Sequence, residues 1–242
     1  MNIRLLLTSA PLDKTEVEER TVVVIDVLRA TTSICAALQA GAKGVIPTAG
    51  PGEAGEMRAK LGGDAVVLAG ERNGVKIENF QLGNSPSEFT PDTVDNKYVV
   101  MTTTNGTLAL SRANKGRKVV TAGLVNMSKV AEAVSAEDRD LLVVCSGREG
   151  HFSIEDTICG GMLIHRLASL RKGELELNDA ASLALLLYRT NQSSIRQAIA
   201  QGEHARFLAS IGFERDVDIA TEVDSMPVLP VLKDGRLVAE EA

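Results

Sequence analysis

Two runs in this sequence are apolar at every position, Val22-Val23-Val24-Ile25 and Leu141-Leu142-Val143-Val144. Successive side chains of a strand point to opposite faces, so a β-branched run with no polar alternate has to be covered on both sides. That requirement selects a sheet layered between helices. Shorter strand-like runs recur at residues 3–7, 43–46, 65–68, 97–101 and 118–121. Between them lie stretches rich in Ala, Leu, Glu and Lys, at 31–40, 51–60, 106–112 and 128–134, which suit crossover helices. Such alternation is the signature of an α/β fold.

After Ser153 the pattern turns helical, with helices expected over 158–170, 180–188, 193–200 and 203–211 and with Asn178 and Ser193 as caps. Residues 232–238, around Asp234-Gly235, predict a closing hairpin, because that dipeptide tolerates the positive φ of a tight turn. The expected architecture is a three-layer α/β/α unit with a mostly parallel or mixed central sheet and a helix-rich C-terminal portion. At 242 residues it is read as one domain over 1–242, with two intertwined halves, about 1–150 and 151–242, as the alternative.

Composition narrows the function. A net charge of -6 gives no global field for a polyanion, and five Phe, two Tyr and no Trp leave few stacking platforms, so nucleic acid is not the expected partner. Charged residues at 24% and the lack of long apolar runs argue against a membrane protein. The three cysteines, Cys35, Cys145 and Cys159, are widely spaced and unpaired in pattern, which fits neither a disulfide framework nor a structural zinc site. No secretory core follows Met1, and the expected compartment is the cytoplasm.

In open α/β sheets, ligands bind beyond the carboxyl ends of the strands. Four expected strand ends carry chemistry: Asp26 to Thr32 after Ile25, Gly70-Glu71-Arg72-Asn73-Gly74 after Leu68, Thr102 to Thr107 after Met101, and Cys145 to Gly150 with Ser153 to Asp156 after Val144. Gly with Thr and Asn at a strand-to-helix turn leaves amides and hydroxyls free for an anion, and the helix dipole favours its charge. Arg29, Arg72 and Arg148 supply guanidinium forks, while Asp26, Glu71, Glu155 and Asp156 are oxygen donors for a hard cation such as Mg²⁺. Together they point to phosphoryl transfer.

Each feature also has a plainer explanation. Asp26 could cap the following helix, Thr102 to Thr107 could be a strand end with a Gly turn, Glu155-Asp156 could complement a helix dipole, and Cys145 could be a small core residue. His204, in a helix without an evident partner, is assigned no catalytic role. Familiar signatures are missing: no P-loop, no G-x-G-x-x-G, no G-x-S-x-G. Position 151, six beyond Cys145, is His151 rather than the Arg of a cysteine phosphatase loop, and position 28 is Leu28 rather than the second Asp of a haloacid-dehalogenase pair.

At these same residues the chain resembles the 2-phosphosulfolactate phosphatases, the ComB-like family. The matching segments are Val24-Ile25-Asp26-Val27-Leu28-Arg29-Ala30-Thr31-Thr32, Gly70-Glu71-Arg72, Leu82-Gly83-Asn84-Ser85-Pro86, Thr103-Thr104-Asn105-Gly106-Thr107, Cys145-Ser146-Gly147 and Glu155-Asp156. The run His204 to Asp224, with Leu208, Gly212, Asp216 and Asp224, extends the likeness toward the C-terminal end, so that it spans residues 3 to about 230.

The resemblance implies an α/β/α fold of the family's own kind and a Mg²⁺-dependent hydrolase that converts (2R)-2-phospho-3-sulfolactate to sulfolactate and phosphate, a step of coenzyme M biosynthesis. A substrate with phosphate, carboxylate and sulfonate accounts for three arginines at strand ends of an acidic protein. The expected catalytic residues are Asp26, Arg29 and Cys145, with water attack or a covalent intermediate on Asp26 or Cys145 both open. Arg72, Asn84, Ser85, Thr103, Thr104, Asn105, Gly106 and Arg148 are expected to bind substrate, and Asp26, Glu71, Glu155 and Asp156 the metal. A homodimer is expected. The alternatives are a phosphatase for another small phosphorylated acid, a non-catalytic binder of small anions, and a cysteine hydrolase centred on Cys145.

Overall fold

The computed structural model describes residues 1–10, 12, 17–137 and 139–240. The strands are β1 (Asn2–Leu6), β2 (Thr21–Ile25), β3 (Gly44–Pro47), β4 (Val66–Arg72), β5 (Val75–Lys76), β6 (Tyr98–Thr102), β7 (Lys118–Ala122), β8 (Leu141–Cys145), β9 (Glu176–Leu177), β10 (Pro230–Lys233) and β11 (Arg236–Ala239). Among the described residues they form one sheet in the order β5-β4-β6-β3-β11-β10-β7-β2-β8-β1-β9. The helices are α1 (Ala30–Gln39), α2 (Pro51–Lys60), α3 (Pro91–Val94), α4 (Gly106–Ala113), α5 (Met127–Ala136), α6 (Ile154–Leu170), α7 (Asp179–Asn191), α8 (Ile195–Ala200), α9 (Glu203–Ser210) and α10 (Glu214–Ala220).

Two parallel blocks make up the sheet: β4, β6 and β3 in one, β7, β2, β8, β1 and β9 in the other. The expected hairpin forms around Asp234-Gly235 and sits in the middle of the sheet, with β11 antiparallel to β3, β10 antiparallel to β7, and the two antiparallel to each other. Three reversals in a row make the blocks run in opposite senses. In a flat sheet their carboxyl ends would lie at opposite edges. Here α1 packs against β3, β7, β10 and β11, and α4 against β2 and β3, so the twisted sheet curls around these helices and turns both sets of carboxyl ends toward one place.

The apolar runs show why. Val22 and Val24 of β2, Leu142 and Val144 of β8, Val45 of β3 and Val99 of β6 share one inner core with Ile34 of α1 and Leu110 of α4. The alternate residues Val23, Ile25, Val143 and Cys145 face outward onto α5, α6 and α7. A third cluster, with Ile46, Val66, Leu68 and Val100, packs under Ala54 of α2. Helices therefore cover both faces of both blocks, which makes the fold a three-layer α/β/α arrangement with a mixed sheet and a helical C-terminal portion.

Asn178 caps α7 by accepting from the Ala181 amide at 3.0 Å. Ser193 does not cap, because α8 begins at Ile195 and Ser194 takes the N-cap position. Strand β4 runs on to Arg72, so Gly70 and Glu71 belong to the strand rather than to a turn. Only glycine fits at position 70, where φ is 156° and a Cβ would lie 2.1 Å from the Thr102 carbonyl oxygen of the adjacent strand. Helix α10 carries too little apolar periodicity to be read from sequence. Among the described residues no helix is long and apolar enough to cross a membrane.

Candidate active site

Where the carboxyl ends of the two blocks meet, a cavity of about 170 Å³ is lined by Asp26, Leu28, Arg29, Glu71, Asn73, Gly74, Asn84, Thr103, Thr104, Asn105, Arg148, Glu149, His204 and Phe207. Asp26 follows β2 directly and is buried. Its Oδ1 accepts from the Ala30 amide at 3.2 Å, which caps the start of α1. Oδ1 therefore fulfils the capping reading, while Oδ2 has no protein partner among the described residues. Burial raises its pKa to about 6, with Glu71 and Glu155 adding to the rise and His204 and the Ala30 amide opposing it.

Opposite Asp26 is the start of α4. Thr103 and Thr107 cap each other reciprocally, the Thr103 amide donating to Thr107 Oγ1 at 3.2 Å and the Thr107 amide to Thr103 Oγ1 at 3.1 Å. The Thr104 amide is taken by Glu71 Oε1 at 2.8 Å. No described group accepts from the amides of Asn105 and Gly106, which remain for a ligand. Gly106 has to be glycine for space: a Cβ there would lie 2.6 Å from Asp26 Oδ2 and 2.5 Å from Ala30 Cβ. Any larger residue would push Asp26 away from the helix end.

The two arginines of the cavity differ. Arg29 is buried and held, Nη1 donating to Asp216 Oδ2 at 2.8 Å and Nη2 to the Gly74 carbonyl at 2.7 Å, with its guanidinium 4.4 Å from the Phe213 ring. Arg148 lies 4.6 Å over Phe207 and reaches Glu203 only at 3.6 Å, on a carboxylate whose side chain is 87% exposed. A pair so exposed is worth little, which leaves Arg148 available to an anion.

The four carboxylates expected to hold metal do not assemble into a cage. Among the described residues no group of three or more His, Cys, Asp and Glu is arranged to hold a metal ion. Glu71 lines the cavity, but its Oε1 accepts from the Thr104 amide and its Oε2 from the Gly74 amide at 2.8 Å. Asp156 accepts from the Val27 amide at 2.8 Å and the Gly147 amide at 3.1 Å, so it ties the β2 and β8 loops together. Burial, then Asp26 and Glu155, hold its carboxyl well above the usual range. Glu155 meets His204 Nδ1 at 3.1 Å. Asp26 Oδ2 and Asn84 Oδ1 are two cavity oxygens to which no described protein group donates, the latter buried. A hard cation bound through one carboxylate and completed by phosphate and water fits such a pair, whereas a protein-only cage does not.

Of the other expected residues, Asn84, Thr103, Thr104 and Asn105 line the cavity and Gly106 stands at its edge. Arg72 points elsewhere, to the Glu71 carbonyl at 2.9 Å and the Ala49 carbonyl at 3.4 Å. Ser85 lies behind the wall, its hydroxyl 2.6 Å from Asp216 Oδ1. Cys145 is fully buried in the outer core and absent from the lining, and burial, reinforced by Asp156, pushes its thiol up. Sequence reasoning missed His204, Phe207 and Asp216. They are far along the chain, on α9 and α10, and only the packing of these helices over the strand ends brings them in; the family likeness over the run His204 to Asp224 was the one available signal.

Fold and cavity together define an α/β protein with a buried, amide-lined pocket for a small anion. The sequence profile of the 2-phosphosulpholactate phosphatases matches residues 6–235, and the chain belongs to that family. Among its relatives, a "Probable 2-phosphosulfolactate phosphatase" of Caldanaerobacter subterraneus subsp. tengcongensis is 39% identical over 220 residues, 91% of this chain and 90% of that protein. Proteins of the same description from Clostridium beijerinckii and Thermotoga petrophila are 34% identical over 240 residues (99% of this chain, 100% of the relative) and 37% over 225 (93% and 94%).

Proposed function

We propose that this chain is a phosphoric monoester hydrolase that removes phosphate from (2R)-2-phospho-3-sulfolactate with the help of Mg²⁺, and that it works as a cytoplasmic homodimer. The observation that carries the reading is the meeting, in one cavity, of an uncommitted Asp26 oxygen, two uncommitted amides at the start of α4, and an uncommitted guanidinium on Arg148. Family membership supplies the substrate. The free, buried cysteines suit a reducing compartment, and a closed two-fold pair is the commonest assembly for such enzymes.

The phosphate oxygens accept from the amides of Asn105 and Gly106, where the α4 dipole favours their charge. Arg148 swings from Phe207 onto an anionic group, and Arg29 adds a fixed positive charge in the wall. When bound, Mg²⁺ would be held by Asp26 Oδ2 and Asn84 Oδ1 and would neutralise the phosphoryl oxygens. Water adds to phosphorus as the ester P–O bond breaks. With Nδ1–H donating to Glu155, the imidazolium form of His204 presents Nε2–H to the cavity; that proton passes to the departing alkoxide, and the proton shed by the attacking water returns to Nε2, which restores the acid.

Phosphate release from 2-phospho-3-sulfolactate, compared with phosphomonoesters lacking the sulfonate and repeated with a chelator, tests this reading. Fast release that needs the sulfonate and stops with chelator is expected. Equal rates on all esters would remove the assigned substrate, and unchanged rates with chelator would remove Mg²⁺.

A further inference from the structure

Asp216 sits on α10, behind the cavity wall, 187 positions from Arg29 in the chain, yet the two form an ion pair of 2.8 Å with both side chains almost fully buried. Its other oxygen accepts from the Ser85 hydroxyl at 2.6 Å. Arg29 is also held by the Gly74 carbonyl and covered by Phe213, so two separate segments, 213–216 and the turn at Gly74, fix one guanidinium in the cavity wall. Stability alone is a poor reason for such a pair, because removing two charges from water offsets most of their attraction. What it does supply is direction. An arginine side chain has many rotamers, and a planar fork binds an acid group well only when its plane is fixed.

We infer that Asp216 is a positioning residue: with Ser85 behind it, it sets the plane of the Arg29 guanidinium and thereby the affinity of the pocket for the acid groups of its substrate. Asp216 does not line the cavity and touches no substrate atom. The inference rests on the proposed function in taking the ligand to be a small phosphorylated acid. It adds that substrate recognition depends on the docking of α10.

The test measures kcat and KM for 2-phospho-3-sulfolactate, and binding of inorganic phosphate and 3-sulfolactate by titration calorimetry, in D216N, D216E, S85A, R29K and the double variant R29K/D216N, each with a thermal melt. Expected are a KM ten- to a hundredfold higher for D216N with kcat within about threefold, partial recovery in D216E, and about a threefold rise in KM for S85A. The double variant is expected to match R29K alone, because Asp216 acts through Arg29. Multiplying effects in the double variant would overturn the inference. So would anion binding as tight as or tighter than wild type in folded D216N, which would mean that Asp216 merely neutralises Arg29. If D216N fails to fold, an unchanged KM in both D216E and S85A overturns it equally. A wild type that binds these anions but releases no phosphate would count against the proposed function while leaving this inference testable by the calorimetric arm.

Discussion

The loops that follow β2 and β8 are neighbours, with Ile25 paired to Cys145 and the Ser146 amide donating to the Ile25 carbonyl at 2.8 Å. The β2 loop carries Asp26, and the first turn of α6, reached through the β8 loop, carries Asp156; both are buried with a raised pKa, and burial is the largest cause in both. What separates them is the bonding capacity left over. Asp156 has both oxygens occupied by backbone amides and acts as a stitch between the loops, and Cys145 beside it is sealed in the core. Asp26 has one oxygen occupied and one directed at the helix end across the gap that Gly106 leaves. Burial and a raised pKa are common to both aspartates; the hydrogen-bonding capacity left over is what distinguishes them.

The largest expected effect is on Asp26. Asp26→Asn should lower phosphate release by about a thousandfold with the circular dichroism spectrum unchanged, a loss typical of removing a group that handles transition-state charge. Near-normal release would erase the distinction between the loops. Next comes Asp156→Ala, which strands the amides of Val27 and Gly147. At roughly 1–3 kcal/mol for each buried unsatisfied group, a destabilisation of about 3 kcal/mol is expected in denaturant unfolding. A variant that unfolds like wild type yet is inactive would make Asp156 a chemical group after all.

Acidity gives a third separation. The folded-state pKa of Asp26, about 6, lies above its ordinary 3.8, so the folded state holds the proton more tightly than the unfolded one. Its contribution to stability is therefore fully present below pH 3.8 and lost as pH rises through 6, on the order of 3 kcal/mol at most. Asp26→Asn escapes that loss, and its stability advantage over wild type should grow between pH 4 and 7. Turnover should move the other way, rising through pH 6 as Asp26 ionises. Parallel stability profiles for the two proteins would show that burial of Asp26 carries no penalty. The smallest effect is expected at Cys145: Cys145→Ala should change kcat by less than about threefold and stability by about 1 kcal/mol, and the native thiol should alkylate slowly. An inactive Cys145→Ala with a native melting curve would shift the chemistry to the β8 loop.

Much of this layout was legible because local patterns encode it. The run 22–25 announces its two-sided burial, and the strand-to-helix turn at Asn105-Gly106 announces a free helix start. Other parts depend on distance. Nothing near His204 reveals that Glu155 will meet it, since 49 positions separate them and only the packing of α9 against the start of α6 brings the side chains to 3.1 Å. Arg72 and Arg148 look alike in the sequence, but β4 extends through Arg72 and turns it toward carbonyls outside the cavity, whereas Arg148 sits on a loop beneath Phe207. The expected fourfold carboxylate set fails as a cage for a similar reason. Backbone amides compete for the same oxygens, and amides leave no trace in residue identity.

The position of the β10–β11 hairpin has a consequence for how the molecule comes to exist. These strands join β3 to β7, yet they follow every other strand in chain order, so on a ribosome both flanking edges stand open until the hairpin emerges. A nascent or clipped chain lacking residues 230–239 would present two unsatisfied ladders at once, each a template for another molecule's backbone. Biogenesis of this protein is thus most exposed to aggregation just before synthesis of the hairpin, which acts as the keystone of the assembly.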